Sequence, residues 1–383
     1  MDNLRTNIKQ HLNRLCLVPS RHVGSPGIAE AADYIGRTFC DYGYSHVGKE
    51  SFPATGWRFG SMVFVDLDNG AYAVPGALPC FFSRSADVAG VPLWLTPAEL
   101  QCLTPEMVRG KLCVVELFQG GSIRGRNGVA EDLDALGAAG AVFISPTLTH
   151  AANTKIQRSP LLRSLGAAVV EEPGAYYLAR NRTHRFLLRI DADTFPCSAQ
   201  NVVAIRPGSG TKRAVFGAHH DAAPLTQGAC DNASGVACLL ELARLLRDEL
   251  PEWTFEFVSF DAEEYCIHET LPAGSEAYVR CHADRKWEFF MDFDCVGVHF
   301  GEDVLNVGRG ELLPQFECIY PKRPFKNGGD ERNFDRIGLP TIWFESLPMF
   351  KEFHTPMDTI ETLDTDRIAR CVAEAVEVVR RIC

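Results

Sequence analysis

The sequence lacks the features that mark several classes of protein. It contains no run of about 18 apolar residues, so no transmembrane helix is expected. The first twenty residues alternate charged and apolar positions, without the uninterrupted apolar segment and small-residue cleavage site of a secretory signal. The net charge of −11 over 383 residues argues against the basic face that nucleic-acid binding normally requires.

A close-set framework of cysteine pairs is also missing, although the chain has fourteen cysteines. Several of them, such as Cys113, Cys238 and Cys371, lie in apolar patterns where a reduced thiol packs as a small hydrophobic residue. Together with the missing signal, this indicates a reducing, cytoplasmic setting without a membrane partner.

Length and pattern divide the chain into two parts. At 383 residues it suits a large domain plus a smaller one. Residues 3–17, and the segment that begins at Pro26 with Ser25 as its cap, have helical periodicity. Residues 58–195 are short β-like runs punctuated by Gly and Pro, with one helical segment. We therefore expect a main domain of residues 1–57 and 196–383, and an inserted β-rich domain of residues 58–195.

The main domain has the pattern of an α/β fold. From residue 196 to the end, apolar strand-like runs alternate with helical segments, including a helix at 235–249 and a final helix at 365–383. Alternation of this kind predicts a mostly parallel central sheet that is flanked by helices on both faces.

Acidic and histidine side chains follow four hydrophobic runs of this domain. In chain order they are His219-His220-Asp221 with Asp231 soon after, Glu263-Glu264, Asp292-Phe293-Asp294 and Phe353-His354-Thr355. The carboxyl ends of parallel strands meet at one edge of a sheet, where α/β folds place their active sites. Imidazole and carboxylate groups are ligands of divalent transition metals. The sequence therefore predicts a metal site assembled from separated segments.

Strand alternation separates the side chains of the first segment. His219 and Asp221 point to one face of a strand, and His220 points to the other. Asp221 could then accept the second ring proton of His219, which is the support that a ligating imidazole usually has. A histidine taken singly is more often a satisfied core residue, and His220 stays open as the competing choice.

Each acidic segment also has an alternative. Asp231 could cap the following helix, or its two oxygens could bridge two metals. Of Glu263 and Glu264, one could bind a metal while the other acts as a general base on water. Asp292 is the rival of Asp294, because residues two apart in a strand share a face.

Jointly these motifs resemble metallopeptidase family 28, the co-catalytic di-zinc exopeptidases. That family includes aminopeptidases, glutamate carboxypeptidases and glutaminyl cyclases. The resemblance covers residues 200–383 and the helix start at 21–25, and its motifs are His219-His220-Asp221, residues 228–235, Glu263-Glu264, residues 294–297 and Phe353-His354-Thr355 with Asp358. Residues 82–88, 108–111 and 137–141 look like parts of an inserted protease-associated domain. The implied fold is that of a zinc exopeptidase of the phosphorylase/hydrolase-like type.

The resemblance also implies a cofactor and residue roles. Two Zn²⁺ ions, or another divalent transition metal, would bind at the site. The implied ligands are His219 and Asp294 for one ion, Glu264 and His354 for the other, and Asp231 as the bridge. Glu263 would be the general base on a water activated by both metals, and Asp221 would orient His219.

The chain departs from the family pattern near the implied substrate site. Segment 265–272, which contains His268, replaces a short Gly-rich turn and could lie beside the site. The family's Ser-Asp-His string appears as Gly-Asp-Glu at residues 329–331, so its histidine is lost. We take Asp330, His268 and Phe353 as candidate substrate-binding residues, and Asp330 or Glu263 could meet a free α-amine.

These features predict a zinc aminopeptidase that removes amino-terminal residues from a peptide substrate. The alternative is a metallocarboxypeptidase of glutamate-carboxypeptidase type, which would need a cationic clamp from Arg309, Arg323 or Arg332. A glutaminyl cyclase fits less well, because that branch works with one zinc whereas the bridging set is kept here. A non-catalytic binding protein is disfavoured, because no implied ligand or base is missing.

Overall fold

The computed structural model describes residues 2–116, 123–144, 162–264, 272–308, 316–324, 328–347 and 353–383, with the backbone alone at 123–127. The helices are α1 Asp2–Cys16, α2 Pro26–Asp41, α3 Pro105–Val108, α4 Ile123–Leu136, α5 Glu172–Arg180, α6 Ser234–Leu246, α7 Ala273–Cys281, α8 Glu331–Arg336 and α9 Thr365–Ile382. The strands are β1 His46–Asp66, β2 Tyr72–Ala73, β3 Ala77–Pro79, β4 Ala86–Gly90, β5 Leu93–Leu95, β6 Leu112–Glu116, β7 Gly140–Ile144, β8 Gly166–Val170, β9 Phe186–Arg206, β10 Arg213–His219, β11 Thr254–Phe260, β12 Phe289–Phe293, β13 Glu302–Val307, β14 Lys322–Pro324 and β15 Thr341–Leu347.

The described residues form two compact units. Unit 1 contains the chain up to Ala54 and from Cys197 onward, and unit 2 contains Thr55–Pro196. The predicted boundaries were 57/58 and 195/196. The long strands β1 and β9 each begin in one unit and end in the other. No helix of the described chain is long and apolar enough to cross a membrane.

The sheet of unit 1 is mixed, so the prediction of a mostly parallel sheet is wrong. Strands β15, β12, β10 and β11 are neighbours and parallel, and they form the centre. On either side of this centre the pairing changes: β9 runs antiparallel to β11, and β13 runs antiparallel to β15. The strand–helix alternation predicted the centre correctly, but it carried no information about the direction of the flanking strands.

Helices cover both faces of this sheet, as the sequence predicted. Alternate residues of β10 point to opposite sides, so Phe216 packs in one core cluster and Val215 in the other. The first cluster contains apolar side chains of α1, α2, α6 and α9. The second contains Tyr278 of α7 and Phe334 of α8. The central strands are therefore buried on both faces, which fixes the position of their carboxyl ends.

The start of α2 and the buried apolar face of α1 agree with the prediction from the sequence. In α1 the buried apolar side chains are Leu4, Ile8, Leu12 and Leu15. Ser25 caps α2 by accepting a hydrogen bond from the backbone N–H of Ile28, and Pro26 occupies the first turn. Both features rest on local rules, namely periodicity and capping, and local rules were sufficient here.

Unit 2 has its own five-stranded sheet in the order β3-β8-β7-β6-β5. Strands β5, β6, β7 and β8 are parallel to one another, and β3 pairs antiparallel with β8. Helix α4 connects β6 to β7, and α5 follows β8. Unit 2 is therefore partly α/β, whereas the sequence predicted mainly short strands and missed α5. The thirteen cysteines of the described chain are all free thiols.

Candidate metal centre

Four neighbouring strands of unit 1 end beside the candidate ligands. His219 is the last residue of β10, and it lies in register with Phe260 at the end of β11. Glu263 and Glu264 follow β11, and Asp294 directly follows β12. His354 comes after β15 along the chain. The parallel pairing of these strands brings residues that are far apart in the sequence to one edge of the sheet.

The first cluster of side chains contains His219, Asp231 and Asp294. The Nε2 atom of His219 lies 3.1 Å from Oδ1 of Asp231 and 3.4 Å from Oδ1 of Asp294. One ligand atom from each residue lies within 4.8 Å of the others, a spacing that could hold a metal ion.

The second cluster contains His354, Glu264 and, again, Asp231. The Nε2 atom of His354 lies 2.8 Å from Asp231 Oδ2 and 3.0 Å from Glu264 Oε1. Here too, one ligand atom from each of the three residues lies within 4.8 Å of the others. Asp231 therefore presents one carboxylate oxygen to each cluster, which is the arrangement needed by a group that bridges two cations.

The chemistry of these groups fits zinc or another divalent transition metal. The donor set is two imidazole nitrogens and three carboxylates, which such metals accept as ligands. The Nε2 atom of His219 and the Oδ1 atom of Asp294 are buried and make no hydrogen bond with any described residue. Buried polar atoms normally have a partner, and a cation between them would supply it.

The electric field at the site also favours a cation. Burial alone would lower the pKa of His219, but the carboxylates of Asp221, Asp231 and Asp294 raise that pKa well above its usual value. An opposite charge at this distance stabilises the protonated ring. The same carboxylates would attract any positive charge placed among them.

Asp221 supports both the first cluster and the neighbouring glutamates. Its Oδ1 lies 3.3 Å from Nδ1 of His219. The two oxygens of its carboxylate accept hydrogen bonds from the backbone N–H groups of Glu263 and Glu264, each at 3.0 Å. The ring of His219 also donates from Nδ1 to the backbone carbonyl of Asp221 at 3.2 Å, so Asp221 fixes both this ring and the backbone that carries both glutamates.

Asp358 holds the shared residue Asp231 in the same way. Its carboxylate accepts hydrogen bonds from the backbone N–H of Cys230 at 2.8 Å and of Asp231 at 3.1 Å. Burial raises the pKa of Asp358 to about 7. The side chain of Asn232 ties this segment to β12, because it donates to the carbonyl of Phe293.

Arg21 is a buried cation for which sequence reasoning assigned no role. Its guanidinium donates hydrogen bonds to the backbone carbonyls of Leu15, Gln227, Gly228 and His220. The side chain is only 2% exposed. It holds both ends of the single loop that connects β10 to the Asp231 segment, and it ties that loop to the end of α1, without touching a candidate ligand. The signal for this role in the sequence was a lone arginine within an apolar stretch near the amino terminus.

The two rival residues lie outside both clusters. The ring of His220 bonds the hydroxyl of Ser259 through Nδ1, and burial lowers its pKa to about 3. Asp292 lies within β12, and its Oδ1 accepts a hydrogen bond from the backbone N–H of Phe293. Burial and nearby carboxylates, Asp330 first, raise the pKa of Asp292 well above its usual value. The structure separates His219 from His220 as strand alternation predicted, whereas alternation places Asp292 and Asp294 on one face of the strand and did not choose between them.

The three candidate substrate residues have different positions. Burial raises the pKa of Asp330 to about 8. A β-carbon placed on its neighbour Gly329 would lie 3.4 Å from Oδ2 of Asp294 and 3.7 Å from Oε1 of Glu263, so this backbone passes beside the site. The ring of Phe353 packs against that of His354, with 4.0 Å between centroids. His268 lies outside the described residues.

Three of the seven described non-glycine residues with positive φ lie at this edge of the sheet. Ala262, Cys295 and His354 have positive φ values of 62°, 55° and 61°. For a residue with a side chain this conformation costs about 1–3 kcal/mol, and it tends to cluster at functional sites. Ala262 precedes Glu263, and Cys295 follows Asp294. The strained positions therefore lie at or beside the residues of the two clusters.

The fold is mixed α/β, and the imidazole and carboxylate groups gathered at its strand ends could hold metal ions. Comparison with known sequences narrows this description: residues 201–379 match the model of peptidase family M28. The uncharacterized protein YfbL of Escherichia coli K12 is 30% identical over an alignment of 223 residues, which covers 45% of this chain and 68% of that protein. The chain belongs to peptidase family M28, and the resemblance stated above is confirmed.

Two further comparisons describe relatives with known properties. Aminopeptidase YwaD of Bacillus subtilis strain 168 is 26% identical over 195 residues, which cover 45% of this chain and 42% of that protein. The chain thus matches less than half of the length of this relative. The structure of BSAP, a zinc aminopeptidase from Bacillus subtilis, has the same fold, with a TM-score of 0.76 at 16% identity, and the match covers 99% of this chain and 94% of that one.

The support that Asp358 gives to Asp231 can be tested by an Asp358→Asn substitution. An amide cannot accept from two backbone N–H groups without turning its own NH₂ toward one of them. We expect affinity for zinc to fall by about 10–100-fold, the usual loss when an outer partner of a ligand is removed. Competition with a chromogenic chelator measures this, and Asp248→Asn, at an exposed ion pair with Arg247, is the control. Unchanged affinity with retained fold would contradict the assigned role.

Proposed function

We propose that this protein is a metal-dependent aminopeptidase that removes amino-terminal residues from peptides. The observation that carries this proposal is the sharing of the Asp231 carboxylate between two clusters of ligand-type groups. Membership of peptidase family M28, the aminopeptidase activity named for YwaD and the zinc named for the similar Bacillus structure support it.

In this proposal the five clustered residues hold two zinc ions. His219 and Asp294 would hold one ion, His354 and Glu264 would hold the other, and Asp231 would offer one carboxylate oxygen to each. When bound, such ions lower the pKa of a water molecule and polarise a peptide carbonyl. Asp221 and Asp358 keep the ligands in place through backbone and ring contacts.

Glu263 is the proposed general base. It adjoins Glu264 in the sequence, and its backbone N–H donates a hydrogen bond to the carboxylate of Asp221. Glu263 is only 7% exposed to solvent. A carboxylate in this position accepts a proton from the attacking water. It then returns that proton to the nitrogen of the leaving amine, so the proton count balances over the cycle.

The charge around the site favours a substrate with a free amino terminus. The buried carboxylate of Glu263 and the buried carboxyl group of Asp330 can accept hydrogen bonds from an ammonium group, whereas backbone carbonyls hold four of the five N–H donors of the nearby Arg21 guanidinium. The carboxypeptidase alternative needs a free cation. Of the arginines considered for it, Arg323 already pairs with Glu302 and Arg309 lies outside the described residues, so Arg332, which forms no ion pair with the described chain, is the remaining candidate.

We also propose that unit 2 is the inserted protease-associated domain. Its sequence match at residues 137–141 coincides with the turn between α4 and β7. The segment 166–170 forms a fully buried strand of the same sheet. We assign no catalytic residue to this unit.

A panel of aminoacyl p-nitroanilides tests the proposed reaction. Substrates with a free amino terminus should release p-nitroaniline, and N-acetylated ones should react at least about 100-fold more slowly, because a buried carboxylate then loses its ammonium partner. A chelator should abolish turnover, and added zinc should restore it. Cleavage of the blocked substrates with no cleavage of the free ones would rule out an aminopeptidase.

The role of Glu263 is tested by a Glu263→Gln substitution. The variant should keep its zinc, because Glu263 is not a proposed ligand, while kcat falls by about 10²–10⁴-fold through loss of the base. Metal content and kcat are measured on the same preparation. Glu276→Gln, at an exposed position of α7, is the matched control. Wild-type turnover in Glu263→Gln would refute the assignment.

A further inference from the structure

Unit 2 contains a charged cavity that the proposed peptidase reaction does not use. Its volume is about 530 Å³, within the range of about 300–1,000 Å³ that is usual for small-molecule sites. The charged groups that line it are Arg58, Arg84, Arg163, Asp191 and Asp193. We call this the arginine cavity.

Two strands place charged groups on the wall of the arginine cavity. Arg58 and Gly60 alternate along β1, and Asp191 and Asp193 alternate along β9, so each pair shares one face of its strand. A β-carbon at Gly60 would lie only 2.5 Å from Oδ2 of Asp191. The bare α-carbon of Gly60 therefore allows the Asp191 carboxylate to lie against β1.

The charges in the arginine cavity are only partly paired. Arg84 forms an ion pair with Asp193 at 2.9 Å and donates to the hydroxyl of Thr194. No carboxylate of the described chain lies within 4.0 Å of the guanidinium of Arg58 or Arg163. Arg58 instead lies over the ring of Phe195, 5.4 Å from its centroid.

Asp191 completes the pattern, because its carboxylate has no ion-pair partner among the described residues either. The cavity thus offers two guanidiniums and one carboxylate to a ligand. Guanidinium groups bind carboxylates through strong charge-assisted hydrogen bonds. A carboxylate binds an ammonium group by the same kind of interaction.

We propose that the arginine cavity binds a small zwitterion of the α-amino-acid class, either a free amino acid or a very short peptide. Its carboxylate would contact Arg58 and Arg163, and its ammonium group would contact Asp191. The net charge of −11 on the chain repels a simple anion at long range, whereas a zwitterion has no net charge and avoids this repulsion. Binding there would not depend on the metal centre.

Calorimetric titration of the 383-residue chain with the Glu263→Gln substitution, which should keep zinc without hydrolysing a dipeptide, tests this site. Leucine, phenylalanine, glutamate and the dipeptide Leu-Leu are compared with their N-acetyl and amide derivatives and with inorganic phosphate. At least one zwitterion should bind saturably, and blocking either end should weaken its binding by about tenfold or more, as expected for the loss of one charge-assisted contact. Free amino acids and the dipeptide distinguish the two sources of the zwitterion.

Variants assign this binding to the arginine cavity. Arg58→Gln combined with Arg163→Gln should weaken binding of the zwitterion by at least about tenfold. Asp191→Asn should weaken binding of the free amino acid but not that of its N-acetyl derivative. Arg189→Gln, at an exposed ion pair with Asp87 in the same unit, is the control. All of these positions are exposed, so the melting temperature should stay unchanged.

Three results would overturn this inference. The first is that no member of the panel binds saturably. The second is that the double arginine variant binds as well as the wild type, which would assign the binding to another site such as the metal centre. The third is that phosphate binds as tightly as the zwitterions, which would leave Asp191 without a function in recognition.

Discussion

The structure of the site depends on the carboxylate of Asp231, which lies between the rings of His219 and His354. Each of its oxygens belongs to a different cluster, so any movement of this one side chain would disturb both. The clusters together bring three largely buried carboxylates close to one another. Like charges this close repel strongly in a medium of low polarity, and divalent cations are the natural counter-charge. The metal-binding proposal rests on this electrostatic requirement.

The surrounding residues hold the acidic groups in place with backbone hydrogen bonds. Asp221 fixes the glutamate pair, Asp358 fixes Asp231, and Arg21 holds both ends of the loop between β10 and the Asp231 segment. Each of these partners is itself buried, so the contacts are shielded from water and strengthened. The parallel strands at the centre of the sheet set the coarse positions, and these buried contacts set the fine ones. The strained backbone at Ala262, Cys295 and His354 persists because so many contacts determine it.

Local rules predicted much of the fold and of the cluster membership. Periodicity gave α1 and α9, capping gave the start of α2, and alternation separated His219 from its neighbour His220. These local rules did not predict contacts between residues that are far apart in the sequence. The bond from Asp358 to the Asp231 backbone spans 127 residues, and no spacing encodes it. The directions of β9 and β13, and the merging of short runs into strands of 21 residues, likewise depend on pairing partners that the sequence does not name.

The charge patterns of the two units point to different ligands. Unit 1 gathers carboxylates around two imidazoles, whereas the arginine cavity of unit 2 mixes both signs of charge. The claim on which the account depends is that two cations share Asp231. Anomalous diffraction at the zinc edge, from crystals of the zinc-loaded protein, tests it most directly. Two peaks are predicted, one beside His219 and Asp294 and one beside His354 and Glu264, each about 2.0–2.2 Å from an oxygen of Asp231. A single peak, or peaks at neither cluster, would contradict it.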